Sequence, residues 1–496
     1  MSTHMTALLQ HSALALCVLS SSLRAESTDQ TFAHATAAME AATARAQSDP
    51  THPVFHIAPP AQWVNDPNGP IFYKGFYHLF YQLYPFSEAS GPRFWGHVRS
   101  RDLVKWEHQP IALCPSSELG ESEVWSGCCT LNGRGDPMIF YTSIAPGKSA
   151  MDHAEQWAAT SQDDLVHWQK SPANPVLSEA LHGNKKIYDW RDPFVFHDGR
   201  KTFLVTGGNL NQARGGQAVV NIYEAQNPDL TAWTYRGVLF QHPDPEVRTA
   251  ECPNFFRLRD HWVLLVSPYG QVQYFIGDFD PATCRFQPHK RGLLDCGPNF
   301  YAPNTMQVPD GRRLVWGWVN GFPGGHGWNG CLSLPRQLSL SKDGQLLQEP
   351  APQLTKLRGA RLQWRNLSLT GNDEILSLPG TNTLEIAARF DLQSAKALAL
   401  EFRSSAKDAQ PIRLRLNGSE IALMETKAPL PLAKNAKELR LRIFIDRSVV
   451  EVFANETACI TKTLPPLAAN PTLAIHAENG NARARSIEAW PMKTIW

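Results

Sequence analysis

The chain repeats itself roughly every 60 residues, and self-similarity at such a period marks an array of supersecondary units that bury their faces against one another. Asp102-Leu103-Val104-Lys105-Trp106 reads like Asp164-Leu165-Val166-His167-Trp168 and again like Asp229-Leu230-Thr231-Ala232-Trp233, so that three tryptophans mark equivalent points at near-equal spacing. A weaker fourth copy runs from Asp278 to Phe286, and a degenerate fifth ends near Ser341-Lys342-Asp343-Gly344. Between the markers lie short runs such as Phe76–Tyr81, Met138–Tyr141 and Trp262–Val266, bounded by Gly, Asp and Pro. Such runs predict strands rather than helices, so each unit is expected to be a small antiparallel sheet. Five sheets arranged radially make a β-propeller, whose innermost strands face a shared central channel.

Three acids recur at one phase of this repeat. Asp66 stands in Trp63-Val64-Asn65-Asp66-Pro67-Asn68-Gly69, Asp192 in Arg191-Asp192-Pro193 and Glu251 in Glu251-Cys252-Pro253. The first two are two repeats apart, and the last two are one repeat apart. The markers follow at a similar interval in each unit: Trp106 after Asp66, Trp168 after Ser126, Trp233 after Asp192 and, slightly sooner, Phe286 after Glu251. The acids are therefore expected on the inner strands of blades one, three and four. Blade two offers Trp125-Ser126-Gly127-Cys128 at that phase, and blade five Tyr301-Ala302-Pro303-Asn304. A single Asp-Pro is ordinary turn chemistry, and this chain has others at 49, 136, 244 and 280. Three acids in phase, each inside a longer string, are harder to obtain from turns alone.

Paired carboxyl groups flanking a bond are the working parts of glycoside hydrolysis, one as acid and base, the other as nucleophile or as base for water. The same phase supplies Asn65, Gln82, Trp95, Trp125, Ser126, Arg191, Tyr301 and Trp318. Flat aromatic faces mixed with hydrogen-bonding groups suit a sugar, although Trp95 and Trp318 read equally well as core.

The strings W-V-N-D-P-N-G, F-Y-Q at 80 to 82, W-G-H at 95 to 97, W-S-G at 125 to 127, R-D-P, E-C-P and P-R-Q-L-S-L at 335 to 340 resemble the motif series of glycoside hydrolase family 32. Invertases, inulinases and levanases belong to that family. A later string, Ile445 to Phe453, resembles the signature of its second domain. The resemblance implies that Asp66 is the nucleophile of a covalent fructosyl-enzyme and Glu251 the acid/base. Asp192 resembles the transition-state stabiliser, and Asn65, Gln82, Ser126 and Arg191 match positions that hold the fructose ring. It also implies retention of configuration, with the two carboxyl groups roughly 5 to 5.5 Å apart, and pKa values pushed apart so that the acid is protonated while the nucleophile is ionised. On a regular strand the Arg191 side chain would point away from Asp192. The chain departs from the family at Cys128, where a serine is usual, at Leu83-Tyr84-Pro85-Phe86, where Asn-Pro is frequent, and at Asn254, where an aspartate is common. The second of these leaves the leaving-group preference open.

At 496 residues the chain predicts two domains. The expected division is a secretory signal over 1–25, an Ala-rich linker or loosely attached helix over 26–52, the propeller over 53–352 and a further domain over 358–496. In that last region Leu384–Phe390, Leu398–Phe402, Leu441–Ile445 and Leu473–His476 alternate with period two, which predicts a β-sandwich. The fold class expected is all-β throughout. The signal rests on the short apolar run Ala13–Leu19 before Ser20-Ser21-Ser22 and Ala25, and it implies a secreted or periplasmic protein. The run is too short to span a membrane. A net charge of +1 with no basic cluster disfavours nucleic acid. Nine cysteines show no zinc-type spacing, and no metal or cofactor is expected. Cys252 is expected to pack beside or tune the acid, and Asp446 and Glu451 to serve a turn and the interdomain surface.

The leading expectation is a retaining β-fructofuranosidase acting on sucrose or fructans. A fructosyltransferase on the same scaffold remains open, as does a noncatalytic carbohydrate-binding propeller, although the intact acids disfavour the latter.

Overall fold

The computed structural model describes residues 27–210, 216–404, 410–430, 438–468 and 470–496, so the apolar run at 13–19 lies outside the described residues. Each sequence repeat is a sheet built on four antiparallel strands, and the sheets of blades one and five each carry a short fifth strand. The strands are Gln62–Tyr73, Phe76–Tyr84, Phe94–Ser100 and Trp106–Leu113 in blade one, and Glu123–Leu131, Pro137–Ile144, Glu155–Thr160 and Gln169–Lys170 in blade two. Blade three has Ile187–Asp198, Lys201–Leu210, Gln217–Ala225 and Trp233–Gln241, and blade four Glu251–Leu258, His261–Ser267, Gln273–Asp280 and Arg285–Leu293. Phe300–Gln307, Arg313–Val319, Arg336–Leu340 and Leu346–Pro350 make blade five.

The repeated Asp-Leu-x-x-Trp is the turn into the outermost strand. Leu103, Leu165 and Leu230 all adopt the left-handed region, with φ of 64°, 71° and 55°, a conformation unfavourable for a residue with a Cβ. Side chains compensate: Asp102 Oδ1 accepts the N–H groups of Val104 and Lys105, both at 3.0 Å. The tryptophan ring then folds back, Trp168 Nε1 donating to the Leu165 carbonyl at 3.2 Å and Trp233 Nε1 to that of Leu230 at 2.9 Å.

First strands of successive blades contact one another, and those of blades five and one also meet. A short parallel pairing of Gln62 with Trp328 and Trp63 with Asn329 adds to that seam. The fold is a five-bladed propeller followed by a β-sandwich, as the sequence predicts.

Every inner strand carries the same irregularity. Asn65-Asp66 stand opposite Gln82 alone, Trp125-Ser126 opposite Thr142, Asp192-Pro193 opposite Thr206, Cys252-Pro253 opposite Val266 and Ala302-Pro303 opposite Gly317. Two residues facing one is a β-bulge, which bends the strand and re-aims its side chains. Asp192, Cys252 and Ala302 have φ of 59°, 48° and 45° within these bulges. Proline suits the site because the ladder needs no N–H there. Five bulges at one level explain why the three acids share a phase.

One level deeper, side-chain amides join the blades across the channel. Asn68 Oδ1 accepts the Gly127 N–H at 3.2 Å, Asn304 Nδ2 donates to the Gly127 carbonyl at 2.9 Å, and Asn254 Nδ2 donates to the Pro303 carbonyl at 3.0 Å.

The sandwich consists of two six-stranded sheets around a core that includes Leu398, Leu400, Phe402, Ile443 and Ile475. Its joint with the propeller is polar and buried. Asp446 accepts the backbone N–H groups of Val54, Phe55 and His56 at 2.7 to 3.0 Å, and the His56 ring lies 2.9 Å from Asp446 and 3.0 Å from Glu451. Arg336 pairs with Asp295 at 2.8 Å and Glu451 at 2.7 Å. Removing one member would strand a buried charge, a costly change.

Residues Thr28–Ser48 form a helix, opened by a capping box between Ser27 and Gln30, and its Ala35, Met39 and Ala46 are buried against the propeller core. No helix among the described residues is long and apolar enough to cross a membrane.

Candidate active site

Asp66, Asp192 and Glu251 line one cavity of about 280 Å³ at the mouth of the channel. With them stand Asn65, Gln82, Trp125, Arg191, Tyr301 and Trp318, all expected from the sequence. Ser126 lies directly behind Asp66. Trp95 does not reach the cavity: it is fully buried against Phe80 and Tyr141, and its Nε1 donates to the Trp125 carbonyl at 3.0 Å. Its position corrects the expectation of a sugar-binding face, because the regular strand behind the bulge turns that side chain into the core. Trp95 instead supports Trp125.

Each carboxylate has its own partners. Ser126 Oγ donates to Asp66 Oδ2 at 2.5 Å, and Gln82 Nε2 donates to Ser126 Oγ at 2.7 Å. Asp192 Oδ2 accepts the Cys252 N–H at 2.9 Å, while the Asp192 N–H donates to Thr142 Oγ1 at 2.9 Å. The Cys252 sulfur lies 3.5 Å from Asp66 and 3.6 Å from Asp192, so it touches these two acids. Glu251 takes Arg191 Nη2 at 2.7 Å on one oxygen and the Tyr301 hydroxyl at 2.5 Å on the other.

Arg191 has left the regular strand geometry assumed for it. Its Nη2 also lies 2.7 Å from Asp189 and donates to the Tyr269 hydroxyl at 2.7 Å, and its guanidinium sits over the Trp125 ring. The bulge beginning at Asp192 allows neighbouring side chains to serve the same cavity. In this structure Arg191 is engaged by acids.

Burial dominates the electrostatics. It pushes Asp66 up to about 6 against the Ser126 hydrogen bond, with the charge of Glu251 raising it further. Asp192 is pushed up to about 7 by burial, against the attraction of Arg191 and with repulsion from Glu251 and Asp66. Three carboxyl groups in one cavity resist carrying three charges at once. At pH 7 Asp66 is mostly ionised. Burial also raises Tyr301 far above an ordinary phenol, so it stays protonated.

Two buried polar atoms of residues that line the funnel, Asn65 Oδ1 and Trp318 Nε1, have no hydrogen-bond partner among the described residues. An unsatisfied acceptor and donor on residues that line a cavity are groups that a small shift could offer to a polyhydroxyl ligand. Sequence reasoning missed Tyr269, Arg93, Asp189 and Thr142. Tyr269 is 68% exposed on a turn, and Arg93 pairs with Glu123 while lying over the Trp125 ring. Only Thr142 had a visible signal, since Phe140-Tyr141-Thr142 repeats Phe80-Tyr81-Gln82 one unit later.

Known proteins resemble this chain over nearly its whole length. A family model described as "Glycosyl hydrolases family 32 N-terminal domain" matches residues 56–350, and one described as "Glycosyl hydrolases family 32 C terminal" matches 353–491. A levanase of Bacillus subtilis is 30% identical over 90% of this chain and 71% of its own length. A sucrose-6-phosphate hydrolase of Escherichia coli is 32% identical over 89% of this chain and 95% of its own. Among solved structures, a mutant Bombyx mori GH32 beta-fructofuranosidase in complex with sucrose superposes with a TM-score of 0.79 and 26% identity, covering 93% of this chain and 99% of that one.

Proposed function

Because this chain belongs to glycosyl hydrolase family 32, we propose that it is a β-fructofuranosidase that hydrolyses terminal β-D-fructofuranosyl linkages of sucrose and fructans with retention of configuration. The observation that carries this reading is the division of partners in the funnel. One carboxylate is held by a hydroxyl and a thiol, and another by a guanidinium and a phenol.

In this mechanism Asp66 attacks the anomeric carbon while Glu251 protonates the departing oxygen, giving a fructosyl ester on Asp66. Glu251 then takes a proton from water, which attacks the ester and releases fructose. Asp192 accepts hydrogen bonds from fructose hydroxyls, tightening as positive charge develops on the ring. Asn65, Gln82 and Trp318 hold the sugar, and Trp125, backed by Trp95 and flanked by Arg93 and Arg191, supplies an apolar face.

The test is to incubate the purified protein with sucrose, inulin and levan and to identify the released sugars over time. Fructose released with retained configuration is expected. New oligosaccharides predominating at high sucrose would instead identify a transferase, and no released sugar a binding module. We further infer export, from the apolar run Ala13–Leu19; the mature N-terminus of protein recovered outside the cytoplasm tests it.

A further inference from the structure

The central channel has a second mouth. At the end away from the funnel a cavity of about 660 Å³ is walled by the later halves of the five inner strands, and it shares no lining residue with the catalytic cavity. Side-chain amides of Asn68, Asn254 and Asn304 cross the channel between the two.

The charge of this far cavity is one-sided. Among the described residues Arg257, Arg259 and Arg313 line it, with Asp198 the one carboxylate. His197 is exposed and hydrogen-bonded to Thr202 at 3.0 Å. Among the described residues no carboxylate forms an ion pair with any of the three guanidinium groups, whereas the adjacent Arg312 is held by Asp310 at 2.7 Å.

Arg313 is the informative member. It turns inward over the Phe256 ring, 4.4 Å from its centroid, and Nη1 donates to Thr305 Oγ1 at 3.1 Å. Its Nε is buried and has no acceptor among the described residues. The residue is half-buried, and desolvation without a compensating anion lowers its pKa from the ordinary arginine value. A guanidinium in that state is costly to fold, and its planar fork matches an oxyanion that offers several acceptor oxygens.

We propose that the far mouth of the channel is a binding site for a phosphate-type oxyanion, free or esterified to a small sugar, held by Arg313 with Arg257 and Arg259. The three arginines come from blades four and five, so the bound anion ties two blades together and stabilises the propeller by mass action.

Inorganic phosphate, titrated into the full chain against chloride of equal ionic strength, tests this by thermal unfolding and calorimetry. A saturable rise in Tm is expected with phosphate and none with chloride. Arg257→Gln with Arg259→Gln, both at exposed positions, should weaken phosphate about tenfold, the worth of one charge-assisted hydrogen bond. Arg313→Gln should abolish the saturable rise; should that variant not fold, the double variant decides. Fructose 6-phosphate, run in parallel, assigns the ester if it binds more tightly with the same arginine dependence and free phosphate if it binds more weakly. No rise in Tm, or a linear rise of equal size in wild type and variants, overturns the site.

Discussion

Ser126 Oγ lies 2.5 Å from Asp66 Oδ2, joining the bulges of blades one and two, and Gln82, opposite the first bulge, supports that hydroxyl from behind. The contact both aims the Asp66 carboxylate and opposes the rise in its pKa caused by burial.

Asp66→Asn should reduce turnover of sucrose by roughly four orders of magnitude, since the amide cannot form the ester, while thermal unfolding stays cooperative. Ser126→Ala removes a contact that favours the anion, so the acidic limb of kcat/KM, expected near pH 6 from Asp66, should move to higher pH. An unmoved limb would separate Ser126 from the nucleophile.

Glu251→Gln should cripple release of glucose from sucrose but spare the first step on an activated fructoside, whose leaving group needs little protonation. The fructosyl-enzyme then accumulates, and added azide, which needs no base, should speed turnover. Loss of the Glu251 charge also removes a repulsion that raises Asp66. The acidic limb on the activated substrate should therefore shift to lower pH. Equal loss on both substrates without azide rescue would show that Glu251 is not the acid/base.

Asp192→Asn should depress kcat more than it raises KM, as expected for a group that tightens in the transition state. It should also stabilise the fold above neutrality. Asp192 is raised to about 7 in the folded protein, so the native state binds more protons than the unfolded one between about pH 4 and 7, and stability falls as pH rises through that window. Thermal unfolding at pH 4 and pH 8 checks this: the gain in Tm from Asp192→Asn should be confined to the higher pH.

The interdomain joint titrates at a different pH. Burial disfavours charge on His56, but hydrogen bonds to Asp446 and Glu451 outweigh it and raise the pKa to about 9. A group whose folded pKa is raised contributes its full stability below the unfolded value, near 6.5 for histidine, and loses it as pH rises through the folded one. Tm should fall between pH 7 and 10 in wild type, and His56→Gln should start lower and fall less. Identical pH slopes would refute the charged state of His56.

Asp66, Asp192 and Glu251 were legible in the sequence because a repeat converts linear phase into spatial level. Trp106, Trp168 and Trp233 mark the same turn in three sheets, and whatever precedes them by one shared interval arrives at the same height on an inner strand. The acids of Asp446 and Glu451 were legible as interdomain residues for a related reason, since they sit in a strand pair whose alternate positions fill the sandwich core.

What the sequence by itself determined is which residues share a level: period, polarity and strand length are local properties, written into each unit. What only the tertiary structure decided is where those residues point and whom they meet. Period-two reasoning cannot place Arg191, because the bulge at Asp192-Pro193 breaks the alternation and lets Arg191 pair with Glu251 from the next blade. It cannot sort Trp125 from Trp95 either, one lining the funnel and the other sealed behind it. The Tyr301 hydroxyl on Glu251, the Cys252 sulfur between two aspartates and the Arg313 guanidinium over Phe256 at the far mouth likewise depend on packing between strands distant in the chain. Burial and partner choice are properties of the assembled propeller, and they set the charge on each of these groups.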